Sequence, residues 1–236
     1  MIARAFSVAG GLLFAASIVG FFWFYLFNLE TRPAQAELGR AFTWNVTLFS
    51  IFALHHSIFA RTRVRSWMAR NVSPRLERSI YVWIASLTFG AVCVFWQPIG
   101  DPLWVTDGSA RLALRTVQLA GVAFTLWAAG ALDGLSLAGI RQLDAPLPPS
   151  GIEPSSTALR YTGPYGVVRH PIYLGWLLIV WLAPTMTPSH LLFAAVSTAY
   201  LIVATFYEER SLHEIFGPAY ADYARKVRRK MIPGIY

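Results

Sequence analysis

The sequence predicts an all-α membrane protein, a polytopic bundle of about six spans with a cytosolic C-terminal helix. Of its 236 residues, 56% are hydrophobic and only 14% are charged, whereas about a quarter of the residues in soluble domains are charged. One soluble core of this length could not bury so many apolar residues. Nine Trp, ten Tyr and sixteen Phe suit a protein with two lipid–water interfaces, where aromatic rings anchor.

Five charge-free runs indicate the spans, with histidine counted as neutral. They are residues 5–29, 41–60, 79–100, 116–132 and 171–207. Each of the first four approaches the roughly 20 residues that cross a bilayer. The fifth run would form a helix roughly 55 Å long, too long for one crossing, and Pro184 and Pro188 near its middle should break it. We therefore predict that this run forms two short helices in a hairpin, which gives six spans.

Basic residues orient the predicted bundle. The loop 61–78 carries six Arg and one Glu, and six basic residues follow Tyr207, whereas segments 30–40 and 101–115 each carry two basic and two acidic residues. Because Arg and Lys are enriched in cytosolic loops, we expect both termini in the cytosol. The net charge of +8 then reflects topology and attraction to anionic membrane lipids. No nucleic-acid partner is expected, because the basic residues flank spans instead of forming a domain of their own.

Ionisable side chains gather at the predicted cytosolic ends of five elements. These residues are His55, His56, Glu77, Arg78, Asp133, Arg141, Arg169, His170, Glu208 and Glu209. Polar groups at membrane depth are costly, which favours a functional site. Hydrogen bonding to a neighbouring helix is an open alternative for the two histidines. A shared metal ion is not expected, because adjacent helical residues point about 100° apart. His190, at the outer turn of the hairpin, is predicted to be interfacial.

The fifth run begins with a polar sequence that suits a ligand. Pro171 fits the first turn of a helix, and Arg169 and His170 before it bring donors to a helix N-terminus, which favours an anionic group such as a carboxylate. Glu208 and Glu209, at the other end of the hairpin, could accept from an ammonium or from ribose hydroxyls. The two ends together suit a zwitterionic ligand that carries a nucleoside. The alternative is a salt bridge between Arg169 and Glu209 that simply closes the hairpin.

The tail 208–230 has the pattern of an amphipathic helix. Tyr220 and Tyr223 share one face of it, and they could stack on an adenine or lie at the lipid headgroups, where tyrosine is favoured.

At these residues the sequence resembles the superfamily of isoprenylcysteine carboxyl methyltransferases and phospholipid methyltransferases. The matching residues are Thr162-Gly-Pro-Tyr165, Arg169-His-Pro-x-Tyr173-x-Gly-Trp176, Glu208-Glu209, Phe216-Gly-x-x-Tyr220-x-x-Tyr223 and Pro233. The resemblance implies that S-adenosylmethionine binds between the last hairpin and the tail, without a Rossmann fold. The cofactor-binding candidates are Tyr165, Arg169, His170, Pro171, Tyr173, Glu208, Glu209, Tyr220 and Tyr223.

The N-terminal half resembles the bacterial methanethiol S-methyltransferases. The residues that carry this likeness are His56-Ser-Ile-Phe-Ala-Arg61, Trp67, Glu77-Arg-Ser79-x-Tyr81-Val and Phe95-Trp96-x-Pro98, together with 183–193 in the hairpin turn. The likeness implies a small thiol acceptor, such as methanethiol, that is methylated to a thioether (dimethyl sulfide). It also implies a bacterial inner membrane, with the active site at the cytosolic face. Two features depart from this pattern, namely His55 and the proline-rich linker 143–160, which is expected to cover the active site.

The catalytic candidates lie in the N-terminal half. His56 is predicted to be the base or thiolate partner, and Ser57 and Arg78 are predicted to help orient the acceptor, because a thiol attacks best as its thiolate. Residues 1–142 would then form the substrate side and residues 161–236 the cofactor-binding hairpin and tail of one membrane domain. A lipid amine or a prenylcysteine carboxylate is an alternative acceptor, and a non-catalytic membrane subunit or transporter is an alternative function. The sequence leaves the oligomeric state open.

Overall fold

The computed structural model describes residues 1–32, 37–59, 61–132, 134–144 and 159–234, most of which are α-helical. The helices are α1 Ile2–Trp23, α2 Leu29–Thr31, α3 Leu38–Phe59, α4 Thr62–Asn71, α5 Pro74–Phe95, α6 Gly108–Gly130, α7 Gly134–Leu137, α8 Pro171–Trp181, α9 Pro188–Phe216 and α10 Pro218–Lys226. A π-helical turn, Phe24–Asn28, joins α1 to α2, and short 3₁₀ turns lie at Arg141–Leu143 and Gly163–Gly166. Two short strands, β1 Trp104–Val105 and β2 Thr185–Met186, pair antiparallel.

Among the described residues, four helical segments are long and apolar enough to cross a membrane. They are Ile2–Thr31, Arg75–Phe95, Gly108–Gly130 and Pro188–Phe216. The chain is therefore an all-α integral membrane helix bundle, as predicted. Helix α3 has 22 residues but is not among the four, and α8 has only 11, so the count of six spans stays a prediction. The orientation of the termini also stays a prediction.

The hairpin breaks where the prolines predict, between α8 and α9. The second helix is longer than predicted, however, since α9 runs for 29 residues, roughly 43 Å at 1.5 Å per residue. It passes through Glu208 and Glu209 because no Gly or Pro interrupts the chain between Pro188 and Gly217. The helix ends at Gly217, whose φ of 51° suits glycine. The helix thus continues past the apolar run, which ends at Tyr207, into a charged segment.

His190 was predicted to be interfacial, but its side chain is fully buried in the protein. Its backbone N–H donates to the Thr187 hydroxyl at 3.2 Å, and its Nδ1 lies 2.9 Å from the same oxygen. Thr187 and His190 thus cap the N-terminus of α9. The pairing of β1 with β2 beside this turn was not predicted either, because two-residue strands have no periodic pattern.

The described residues form two compact units. Unit 1 comprises those within Met1–Ile99 and Asp133–Thr157, and unit 2 those within Gly100–Leu132 and Ala158–Tyr236. In unit 1, small residues bring α1 close to α5. The Ser7 and Ser79 hydroxyls are 2.7 Å apart, and a methyl group on Gly10 would lie 2.8 Å from the Trp83 ring. Small residues serve in the same way at other membrane helix contacts.

In unit 2, α6 packs tightly against α8. The buried Gln118 side chain on α6 donates to the Ile179 carbonyl oxygen at 2.7 Å. A methyl group on Gly121 would lie 2.9 Å from the Gly175 carbonyl oxygen, and one on Gly175 would overlap the Thr125 hydroxyl. Gly175, which belongs to the motif that begins at Arg169, is thus explained by this close approach of two backbones.

We predict that Gly175→Ala destabilises the protein by about 1–3 kcal/mol, because overpacking at a tight contact forces the backbones apart. Thermal unfolding in detergent measures the effect. Gly90→Ala is the matched control, since a methyl group on Gly90 in α5 meets nothing within 4 Å. If the two substitutions changed the melting temperature equally, the contact between α6 and α8 would not depend on Gly175.

Candidate functional site

The start of α8 is held by the chain that follows α10. His170 is the N-cap of α8, and Pro171 occupies its first turn. The backbone N–H of Arg169 donates to the Arg229 carbonyl oxygen at 2.9 Å, and that of His170 donates to the Lys230 carbonyl oxygen at 2.8 Å. We call Val227–Met231 the C-terminal strap. Its last residue, Met231, is buried against Leu177 and Leu201, so the strap is anchored by apolar packing as well as by backbone hydrogen bonds.

Five charged side chains meet where the strap contacts the start of α8 and the C-terminal part of α9, and we call them the ion cluster. They are Arg169, His170, Glu208, Glu209 and Lys230. Glu209 is its centre, with Oε1 2.7 Å from Arg169 Nε and 3.3 Å from His170 Nε2, and Oε2 3.7 Å from Lys230 Nζ. His170 Nδ1 lies 3.4 Å from Glu208 Oε2. One imidazole therefore contacts both carboxylates.

The alternative prediction for Arg169, a salt bridge to Glu209, is present in the structure. The Arg169 side chain is only 8% exposed, and its Nη1 donates to the carbonyl oxygens of Val227 and Arg228, both at 2.8 Å. Its Nε and Nη1 are thus used to fix α9 and the strap. This geometry favours a positioning role for Arg169 over direct capture of a ligand carboxylate.

Glu208 differs from its neighbour in its exposure. Its side chain is 47% exposed, against 15% for Glu209. The Tyr173 hydroxyl donates to Glu208 Oε2 at 2.8 Å, and the Tyr173 ring stacks on His170 at 5.3 Å. Glu208 is therefore a carboxylate that is held by protein contacts yet remains accessible to a ligand.

The three other candidate tyrosines, Tyr165, Tyr220 and Tyr223, belong to the same unit as the ion cluster. The Tyr223 hydroxyl donates to the Tyr165 carbonyl oxygen at 2.9 Å, and the Tyr165 hydroxyl donates to the Ala128 carbonyl oxygen at 3.4 Å. Tyr220 is fully buried and Tyr223 is 5% exposed, so neither ring lies at the lipid headgroups. Burial raises the pKa of Tyr165 and Tyr220 above their usual range, and that of Tyr223 to about 12. The Tyr220 hydroxyl lies near Arg169 but has no partner of good hydrogen-bond geometry among the residues that the structure describes.

The ion cluster keeps His170 protonated at neutral pH. Burial alone would lower the pKa of His170, but hydrogen bonds and negative charge from Glu208 and Glu209 outweigh it and raise the pKa to about 9. For Arg169, likewise, burial lowers the pKa but Glu209 raises it by more. At neutral pH, His170 is thus a charged donor to both carboxylates.

The catalytic candidates lie in unit 1, on α3 and α5. The His56 ring contacts the Tyr81 ring edge-on at 5.8 Å, and the Arg78 guanidinium carbon lies 4.8 Å from the centroid of the same ring. The structure therefore brings His56 and Arg78 to one tyrosine. Ser57 follows His56 on α3 and is half-buried. The buried Glu77 is bound by Arg65, with Arg65 Nε to Glu77 Oε1 at 3.0 Å.

Some residues of the site have contacts that the sequence did not predict, and some predicted features lie outside the described residues. The sequence predicts Lys230 only as part of the basic tail and gives no role to Met231. Both residues act through contacts with residues distant in sequence. Tyr81 was noted beside Arg78, but its place between two histidines was not predicted. Asp133 and residues 145–158 of the predicted covering linker lie outside the described residues. The division into a substrate side, 1–142, and a cofactor side, 161–236, stays a prediction.

Known proteins resemble this chain over most of its length. A family model described as phospholipid methyltransferase matches residues 148–219. Methanethiol S-methyltransferase 2 of Bradyrhizobium diazoefficiens is 40% identical over 194 residues, which cover 82% of this chain and 74% of that protein. The methanethiol S-methyltransferase of Mycobacterium tuberculosis is 35% identical over 193 residues, 81% of this chain and 78% of the relative. No solved structure matches.

A relative whose name states no reaction is also found. Nurim of Xenopus laevis is 33% identical over 164 residues, covering 66% of this chain and 57% of that protein. The identity and coverage of the methyltransferases are higher. The chain belongs to the membrane protein family of the methanethiol S-methyltransferases. Membership of this family indicates a membrane methyltransferase.

We predict that the ion cluster stabilises the fold in a pH-dependent way through His170. Because the pKa of His170 is raised from 6.5 to about 9 in the folded protein, its contribution is fully present below about pH 6.5 and is lost as the pH rises through about 9. The measurement is the melting temperature of wild type and His170→Gln from pH 6 to 10. The gap between them should be widest at pH 6 and should narrow towards pH 10. Parallel curves would show that His170 is not charged in the fold.

Proposed function

We propose that this protein is an S-adenosylmethionine-dependent membrane methyltransferase that methylates a small thiol, such as methanethiol, to its thioether, such as dimethyl sulfide. The observation that supports the donor most directly is Glu208, a half-exposed carboxylate fixed by Tyr173 and His170. A carboxylate held in this way suits the ammonium or the ribose hydroxyls of the cofactor. When bound, the cofactor supplies an electrophilic methyl group on a sulfonium.

The residues of unit 2 divide into two proposed roles. Glu208 and Tyr173 contact the ligand, together with the aromatic groups Tyr165, Tyr220 and Tyr223, which suit an adenine. Within the described part of the chain, the buried Tyr220 hydroxyl has no partner of good hydrogen-bond geometry, and a polar atom of a nucleoside would satisfy it. Arg169, Glu209 and Lys230 hold the elements in place.

On the acceptor side, we propose that an imidazole of the His55–His56 pair takes the thiol proton. The residue predicted from the sequence is His56, with Ser57 and Arg78 orienting the acceptor. Thiolate, not thiol, is the nucleophile, so removal of the proton activates the acceptor. The aromatic surroundings of this pair, which include Phe52 and Tyr81, suit a small apolar molecule. The identities of the curated methyltransferase relatives support the thiol acceptor.

The donor proposal is tested by calorimetric titration of detergent-purified protein with S-adenosylmethionine. We predict that Glu208→Gln weakens binding at least tenfold, because a hydrogen bond to a charged group contributes about 1.5–3 kcal/mol. Glu214→Gln is the matched control, since Glu214 lies on the same helix but is 65% exposed and pairs with Arg210. This control should bind like wild type, and both variants should melt close to the wild-type temperature.

Two results would contradict the proposal. Wild-type affinity in Glu208→Gln would remove that residue from the site. Absence of binding to well-folded wild type would favour a non-catalytic membrane protein or a transporter instead. If S-adenosylmethionine binds, turnover with a thiol, a lipid amine and a prenylcysteine carboxylate identifies the acceptor class, and a thiol is expected to be methylated fastest.

A further inference from the structure

His55 has an environment unlike that of the other candidate residues. Its ring stacks on Phe59 with centroids 4.7 Å apart, and on Tyr81 with centroids 5.8 Å apart. Both ring nitrogens are shielded from solvent, and neither has a hydrogen-bond partner among the described residues. A neutral imidazole always carries one donor and one acceptor. We call the His55, Phe59 and Tyr81 rings the aromatic box. Two nitrogens buried in this box without hydrogen bonds to the described residues cost free energy, and a ligand that bonds to one of them would reduce the cost.

Two charged residues of α5 that lie close to Tyr81 in the sequence have protein partners. Glu77, on the neighbouring helix α5, is held by two hydrogen bonds from Arg65. The Arg78 guanidinium lies over the Tyr81 ring and donates to the Leu137 carbonyl oxygen at 3.4 Å. The box therefore presents to a ligand two aromatic rings and one imidazole, and this combination suits a small neutral molecule with a single weak donor.

We infer that His55, and not His56, is the residue that binds the acceptor, a small neutral thiol whose S–H donates to a ring nitrogen of His55. This inference rests on the proposed function. Sulfur makes favourable contacts with aromatic rings, which Phe59 and Tyr81 provide, and S–H is a weak donor that matches an otherwise unmet acceptor.

The first experiment observes the imidazoles directly. Full-length protein with ¹⁵N-labelled histidine contains five histidines, and the His55 resonances are those lost in His55→Phe. Titration with ethanethiol should shift a His55 ring nitrogen saturably, with less effect on His56. Dimethyl sulfide, which has sulfur but no S–H, should not reproduce the shift. Unchanged His55 resonances at saturating ethanethiol, or the same shift with dimethyl sulfide, would overturn the inference.

A second experiment separates binding from folding. Because Phe fills the same space without unmet polar atoms, His55→Phe should melt no lower than wild type, whereas a large drop would mean that the His55 nitrogens have a protein partner and the inference is wrong. His55→Phe should raise the KM for the thiol roughly fivefold or more, the factor expected for one lost hydrogen bond. Its affinity for S-adenosylmethionine should be unchanged. His56→Phe is the matched control, and a larger KM effect there would assign the acceptor to His56.

These experiments also distinguish the failure of the proposed methyltransferase function from the failure of the His55 inference. If wild type binds no S-adenosylmethionine, the proposed function fails, and the ethanethiol titration alone decides whether His55 is a thiol site. If the cofactor binds but ethanethiol leaves His55 unchanged, the methyltransferase proposal stands and the His55 inference fails.

Discussion

The rest of unit 2 depends on the pairing of the buried charges at the start of α8. The Arg169 and His170 side chains are 8% and 4% exposed, and an isolated ion in such a position costs several kcal/mol. Glu209 compensates them, with Lys230 as a third cation on its other oxygen. Because Arg169 also binds the carbonyl oxygens of Val227 and Arg228, the start of α8, the end of α9 and the strap can only form together. Loss of Glu209 would leave the buried Arg169 guanidinium without its carboxylate partner.

The pairing of these charges gives two adjacent carboxylates, Glu208 and Glu209, different roles. Both Glu209 oxygens are paired with cations of the protein. Glu208, one residue earlier on α9, is held by Tyr173 and His170 and remains half-exposed. The cluster therefore fixes an accessible negative charge in a defined place, which preorganises a site for a cationic or hydroxyl-bearing ligand. Unit 1 shows the opposite arrangement at His55, whose two buried ring nitrogens have no hydrogen-bond partner among the described residues. Fully paired polar groups stabilise a fold, whereas unmet ones are where a ligand is expected.

Much of the architecture could be predicted from the sequence, because charge-free runs and prolines act locally. The break between α8 and α9 and the helical run of α3 follow from residues within each segment. The strap could not be predicted, since Lys230 and Met231 act through contacts with residues near 170 and 205. The functional motif was readable as a set of residues, but its roles were not. The same sequence allowed Arg169 to bind a ligand or to bind Glu209, and only the spatial arrangement distinguishes them.

We expect Arg169 and Glu209 to form one energetic unit, on which the proposed cofactor site depends. A double-mutant cycle with Arg169→Met and Glu209→Gln measures their coupling in the free energy of unfolding, with a parallel cycle of Arg169→Met and Glu208→Gln as the control. We predict a coupling of about 2 kcal/mol or more for the first pair, because removal of either partner leaves the other charge buried. The second pair should be close to additive. Additive effects for Arg169 and Glu209 would show that the cluster does not hold unit 2 together, and would contradict this account.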